Sequence, residues 1–170
     1  MQSPSKKKHM GLIVAGMHSS GGKTAVTSLL LAALRKRNFT VQPFKVGPDY
    51  IDPGFHFHYS KQHSINLDPW IMGREHILQA AKEFTENAFG IAEGVMGLFD
   101  GSDPTNDSGS TMEVGRWLRW PILLVVPCQN SGRSITAAIQ GFVVEAGGPE
   151  HFAGIILNHV NSESHADYLS

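Results

Sequence analysis

The chain has 170 residues, 41% of them hydrophobic and 17% charged, with a formal net charge of -1. That length suits about one domain, able to bury roughly two-thirds of its unfolded surface, and the near-neutral balance leaves no basic excess for nucleic-acid phosphates. No apolar run reaches the length of a membrane span, and a single cysteine, Cys128, excludes an internal disulfide and fits a reducing cytoplasm.

The opening MQSPSKKKHM is polar and basic with no apolar core behind it, so it is not a secretory signal. Residues 1–10 are expected to be a disordered arm or a cloning remnant, and residues 11–170 the folded domain. GLIVAG (11–16) reads as a buried strand and Lys23 to Arg37 as a helix, with Val26, Leu29, Leu30, Ala33 and Leu34 at the 3–4 spacing of one face. TVQPFK (40–45) reads as a second strand. Arg74 to Asn87 follows as a helix carrying Ile77, Leu78, Ala81 and Phe84 on one side, and GIAEGV (90–95) is a third strand. PILLVV (121–126) is a fourth, near-continuously apolar as when helices cover both faces. Ser134 to Ala146 reads as a helix, FAGIILN (152–158) as a fifth strand, and a further helix opens at Ser162.

This alternation predicts an α/β fold built on a parallel sheet. The chain stops about two helical turns after Ser162, so a domain truncated at its C-terminus is expected, part of a longer protein. Two segments interrupt the rhythm, residues 46–70 and 97–111, both rich in Gly, Pro and Asp and without helical periodicity. Loops that long are usually functional, and both leave from carboxyl ends of strands, where α/β sheets bind ligands. They read as active-site loops.

The stretch GMHSSGGKT (16–24) joins the first strand to the first helix, the setting of a phosphate-binding loop. Its spacing is G-x5-G-K-T, one residue longer than the common form, with Gly16 as the first glycine. Backbone N–H groups from His18, Ser19 and Ser20 onward, with the helix dipole, make an anion site. Gly21 and Gly22 permit close approach, Lys23 supplies charge, and Thr24 a hydroxyl for Mg2+. Nucleotide binding is the reading these residues support. Carboxylates stand at strand ends facing the loop: Asp49 and Asp52 after the second strand, Glu93 at the end of the third, and Asp100 beyond it. Hard oxygen ligands there suit Mg2+, which takes one or two carboxylates and keeps several waters. Lys45 ends the second strand, placed to neutralise a phosphate or a substrate carboxylate, or else to be a solvated edge lysine.

His56, His58 and His63 cluster in sequence, and a His-x-His on a strand could share a metal, yet no fourth ligand stands at useful spacing. Cys128 reads as buried packing, and Trp70, Trp117 and Trp120 as core or loop anchors.

PFKVGPDYIDPGFH, NLDPW and EGVMGLFDG resemble the signature blocks of the cobyrinate a,c-diamide synthase family, with the resemblance running from about residue 11 to the end. The G-x5-G-K-T loop is also similar to that of dethiobiotin synthetase. The resemblance implies a dethiobiotin-synthetase-like P-loop NTPase domain that uses ATP and Mg2+ to activate carboxylates of a tetrapyrrole as acyl phosphates for attack by ammonia. It implies that Lys23 and Thr24 hold the β/γ-phosphates and Mg2+, and that Glu93 with Asp49 or Asp52 completes the metal environment. Tyr50, Asp52 and Asp100 would lie near the substrate or acyl phosphate, Lys45 near the γ-phosphate, and Asn158 at the adenine. A homodimer is consistent with it, in the cytoplasm.

Two departures accompany the likeness. Pro127, in VVPCQNSGRS, stands where the family commonly carries Asp before SRS, and no stretch of these 170 residues is expected to be long enough for the family's glutamine-hydrolysing domain, so ammonia from glutamine would have to come from outside them. Other ligases of this fold stay open, among them dethiobiotin synthetase, which lacks the GPDYIDPG and NLDPW blocks, and a Ni-sirohydrochlorin diamide synthase, which has both. A MinD-like ATPase switch needs a lysine where this chain has His18.

Overall fold

The computed structural model describes residues 10–169, so residues 1–9 of the expected arm lie outside the described residues. The elements are β1 (Gly11–Gly16), α1 (Lys23–Lys36), β2 (Val41–Val46), α2 (Asp52–Ser60), β3 (Ile65–Leu67), α3 (Pro69–Phe84), β4 (Phe89–Glu93), α4 (Thr111–Leu118), β5 (Ile122–Pro127), α5 (Ile135–Glu145), β6 (Phe152–Asn158) and α6 (Glu163–Leu169). The strands form one six-stranded sheet in the order β3-β2-β4-β1-β5-β6, and every pairing is parallel. The chain runs from β1 outward to β2 and β3, returns to insert β4 beside β1, then crosses to the other side for β5 and β6. The carboxyl ends of β1, β2 and β4 therefore meet where the direction of winding reverses, the crevice in which such sheets bind ligands.

Period-two alternation sends the strand residues to opposite faces. Ile13, Ala15, Phe44 and Leu124 pack with Ile77 and Ala81 of α3 and Met112 and Val114 of α4. Val14, Ile91 and Val125 pack against Val26 and Leu31 of α1 on the other face. At the amino end of the sheet Gly11 and Gly90 are paired across β1 and β4, and the Trp120 indole lies on both: a Cβ built on either would come within 2.4 Å and 2.2 Å of its ring carbons. Trp120 in turn meets Phe44 edge-on, with centroids 5.7 Å apart.

The expected strands and helices are present, with ends shifted by a few residues, but the segment 46–70 is not an irregular loop. It contains α2, β3 and the start of α3. Its Asp and Pro residues are helix-start signals: Asp49 Oδ1 accepts the N–H groups of Ile51 and Asp52, and Pro53 lies in the first turn of α2. The helix lacks an apolar stripe because the side chains it buries, His56 and Ser60, are polar. Asp68 likewise caps α3 by accepting from Trp70 and Ile71. Gly73, at φ 66°, interrupts that helix, after which it runs from Arg74 as expected. The segment 97–111 is irregular as expected up to α4, which Ser110 caps by accepting from the Glu113 N–H. Leu98 anchors it, fully buried, its N–H donating to the Gly16 carbonyl at 2.8 Å. Of the tryptophans, Trp120 is buried and Trp117 packs against the core, whereas Trp70 is 81% exposed.

Candidate functional site

The glycine-rich loop spans residues 17–22, between the end of β1 and the first residue of α1. Ser20 (φ 61°) and Gly22 (φ 95°) are left-handed, the alternation that turns successive N–H groups toward an anion. Gly22 has a second reason to lack a side chain: a Cβ there would fall 2.0 Å from Asn158 Nδ2. Asn158, the last residue of β6, donates that amide to the Gly21 carbonyl at 3.0 Å. Pro127, ending β5, lies against Gly21 on the same side. The Lys23 ammonium folds back over the loop, donating to the carbonyls of His18 at 3.1 Å and Met96 at 2.5 Å.

Beside the loop stands a buried charged cluster. Glu93, at the carboxyl end of β4, is 1% exposed. Its Oε1 accepts from the Thr24 hydroxyl at 2.7 Å and from Lys45 Nζ at 3.3 Å, and its Oε2 is 2.7 Å from His56 Nε2. Lys45, paired with Glu93 in the β2–β4 register, also donates to Asp52 Oδ2 at 2.5 Å and to the Gly94 carbonyl at 3.2 Å. Asp49 Oδ2 lies 3.5 Å from the same ammonium. Lys45 is thus no solvated edge residue: it is held among three carboxylates.

Electrostatics follow from this packing. Burial and the neighbouring Lys45 push the Lys23 ammonium below its usual range. Burial also works against the charge on Lys45, but Glu93, Asp52 and Asp49 outweigh it and hold its pKa above the ordinary value. Burial opposes ionisation of Glu93 as well, yet His56, Lys45 and Thr24 keep its pKa low. Asp49 is low despite burial, through the backbone N–H groups of Ile51 and Asp52 and then Lys45. Asp52 is high: burial and the charges of Glu93 and Asp49 exceed the help from Lys45.

These groups face one cavity of about 470 Å³, lined by Ser19, Ser20, Gly22, Lys23, Thr24, Lys45, Asp49, Asp52, Glu93, residues 94–96 and His159. The fold therefore brings the loop, Lys45, Asp49, Asp52 and Glu93 together as the sequence suggested. Other expected residues do not line it. Tyr50 is 89% exposed, and Asp100 Oδ2 turns back to accept the Gly97 N–H at 2.7 Å. His18 contributes its carbonyl to Lys23 while its ring bonds the Ser19 carbonyl, and Asn158 supports the loop from below. The three clustered histidines do not converge. His56 lies on a helix and bonds Glu93, His58 meets Tyr59 edge-on, and His63 stacks on Phe57. Among the described residues no group of three or more His, Cys, Asp or Glu is arranged to hold a metal by itself. A hydroxyl from Thr24 with one or two carboxylates is instead the sparse oxygen set that suits Mg2+ held largely by phosphates and water. Sequence reasoning missed His159, the Met96 carbonyl and the role of His56. The last had a signal, since His56 falls one helical turn after Asp52. Cys128 is buried, and its thiol is pushed up by that burial.

A parallel α/β sheet whose first strand feeds a glycine-rich loop, lysine and threonine into a helix defines a P-loop nucleotide-binding domain. Residues 12–170 match the CobQ/CobB/MinD/ParA nucleotide binding domain, and the chain belongs to that family. It is similar to a cobyrinate a,c-diamide synthase of Syntrophotalea carbinolica, 45% identical over 94% of this chain and 35% of the relative. It is similar also to a cobyrinate a,c-diamide synthase of Synechococcus sp. (42% over 94% and 35%) and a hydrogenobyrinate a,c-diamide synthase of Rhodobacter capsulatus (43% over 91% and 36%). The chain thus spans about a third of the length of the curated relatives it matches. Among the described residues no helix is long and apolar enough to cross a membrane.

Proposed function

We propose that residues 11–170 form the ATP-using synthetase domain of a tetrapyrrole a,c-diamide synthase, with cobyrinate as the substrate and the cytoplasm as the compartment. The supporting observation is the shared cavity, in which the phosphate-type loop and the Lys45–Asp49–Asp52–Glu93 cluster face one another. The names of the relatives supply the substrate class.

The chemical difficulty of such a reaction is charge. A substrate carboxylate approaching a polyphosphate is repelled by about 4 kcal/mol per charge pair at 4 Å and an effective dielectric near 20. Lys23 leaves the His18 and Met96 carbonyls to meet the β/γ-phosphates, and the loop N–H groups share their charge. Thr24 and Glu93, with Asp49 beside them, would hold Mg2+, which neutralises phosphate charge when bound. Lys45 stands between this group and Asp52, where it can accompany the γ-phosphoryl as it passes to the carboxylate. Asp100 and Tyr50, on the loops flanking the cavity, are assigned to the tetrapyrrole side, and Asn158 to the nucleotide base. Phosphoryl transfer needs mainly such positioning and charge stabilisation. Ammonia, free or released from glutamine by a glutaminase domain, then attacks the acyl carbon, the C–O bond to phosphate breaks, and the amide and inorganic phosphate leave; the enzyme works as a homodimer.

The test is Mg-ATP turnover with cobyrinate and ammonium, repeated with each component omitted. Amide formation that requires all of them supports the proposal. ATP hydrolysis indifferent to the tetrapyrrole overturns it in favour of a switch ATPase.

A further inference from the structure

Helix α2 delivers two side chains to the charged cluster, one turn apart. Asp52 meets Lys45, and His56, four residues on and therefore on the same helix face, meets Glu93. His56 is fully buried, in a place where an aliphatic side chain would fill the same space at no polar cost. Both of its ring nitrogens are satisfied: Nε2 lies 2.7 Å from Glu93 Oε2, and Nδ1 lies 2.9 Å from the Ser64 hydroxyl. Its backbone is also tied, the Ser60 hydroxyl donating to the His56 carbonyl at 2.7 Å. The Ser64 hydroxyl can donate to Nδ1, which leaves the Nε2 proton for the carboxylate.

We propose that His56 is a positioning residue that fixes the rotation of Glu93, so that Oε1 is presented to Thr24 and to the cation of the nucleotide site while Oε2 is held away from it. The inference rests on the Mg-ATP reading of the cavity. Among the described residues the two oxygens of Glu93 have separate partners: Oε1 takes Thr24 and Lys45, and Oε2 takes His56. A cation that takes a lone pair of the Thr24 oxygen reorients that hydroxyl and loosens its hold on Oε1. Without His56 the carboxylate is then free to rotate and chelate Lys45. With His56 in place Oε2 stays anchored, and Oε1 remains directed at the site. Partners that orient a ligating group in this way are commonly worth about 10- to 100-fold in metal affinity.

The experiment measures binding of a non-hydrolysable ATP analogue, adenylyl imidodiphosphate, to the full 170-residue chain by calorimetry, across a MgCl2 titration and in EDTA. His56→Leu keeps bulk and removes the donor. His56→Gln carries an amide N–H to about the Nε2 position, whereas His56→Asn reaches only the Nδ1 position, toward Ser64. The expected result is that His56→Leu and His56→Asn need about 10- to 100-fold more Mg2+, that affinity in EDTA is unchanged, and that His56→Gln recovers most of the loss. If His56→Leu does not fold, the Gln and Asn variants decide between them. An unchanged Mg2+ requirement, an equal loss with and without metal, or Gln no better than Asn overturns the positioning role alone. A wild-type chain that binds no analogue even with Mg2+ overturns the reading of the cavity and the inference with it.

Discussion

The Thr24 hydroxyl donates to Glu93 Oε1 at 2.7 Å, joining two residues 69 positions apart in the chain. The contact ties the first turn of α1 to the end of β4, and it makes the threonine of the loop and the strand-end carboxylate one unit. Thr24→Ala removes the hydroxyl from both Glu93 and the cation. A hydrogen bond to a charged group contributes about 1.5–3 kcal/mol, so Mg2+-dependent ATP turnover is expected to fall by roughly one to two orders of magnitude. Thr24→Ser keeps the oxygen and should retain most of the activity. Steady-state kinetics over a MgCl2 series checks this, and equal rates for wild type and Thr24→Ala would contradict it.

Among the described residues no carboxylate is hydrogen bonded to Lys23. Its partners are two carbonyls, and burial and Lys45 already press on its charge. Such a group is held for a ligand more than for the fold. Lys23→Ala should therefore weaken or abolish ATP binding, by at least about tenfold for the loss of a charged donor, while the unfolding midpoint in urea stays at or slightly above that of wild type. A variant with unchanged ATP affinity would remove the loop assignment.

Lys45 is different, since three carboxylates depend on it. Lys45→Met leaves Glu93 and Asp52 without their cation. Breaking a buried pair from one side costs about 3–5 kcal/mol, so a loss of that size is expected in urea unfolding at neutral pH. The pH dependence has a definite sign. The Lys45 pKa is raised in the fold, so its contribution is complete below the ordinary value of 10.5 and is lost only as pH rises through the higher folded value. Glu93 and Asp49 are lowered, so theirs is present above the ordinary values of 4.5 and 3.8 and is lost as pH falls through the folded ones. Asp52, being raised, partly opposes them in acid. The deficit of Lys45→Met should thus shrink as pH falls into the acid range, where its orphaned carboxylates, raised by burial without their cation, protonate. A deficit equal at neutral and acid pH would show that Lys45 acts by packing.

The parallel sheet and the loop were legible in the sequence because both are local. Buried parallel strands are continuous apolar runs, and a glycine-rich turn with Lys23 and Thr24 carries its chemistry in one stretch. α2 was not legible. Hydrophobic periodicity finds helices that bury apolar stripes, and α2 buries His56 and Ser60 because it packs against charge. β3 is only three residues long, too short for any periodicity. The site was half legible: Lys45, Asp49, Asp52 and Glu93 stand at strand ends, where topology alone brings them together. Asp100 is not in the cavity lining, because its carboxylate turns back to the Gly97 N–H three residues away. Side-chain direction within an irregular loop leaves no trace in spacing.

One further test separates fold from function, at the opposite end of the sheet. Gly11 and Gly90 are paired in register, and the Trp120 indole lies flat across both. A methyl group at Gly90 would come 2.2 Å from a ring carbon, so the indole must move, and it is confined by Phe44 at a centroid distance of 5.7 Å. Overpacking of this kind costs about 1–3 kcal/mol. Gly90→Ala should therefore lower the unfolding free energy measured in urea by that amount, and Trp120→Leu in the same chain should relieve part of it, because the clash is with the ring. The nucleotide cavity lies at the carboxyl ends of these strands, so analogue affinity in the folded Gly90→Ala protein should be unchanged. A double-mutant cycle with no coupling between positions 90 and 120 would show that the strand pairing itself, and not the indole, excludes a side chain there.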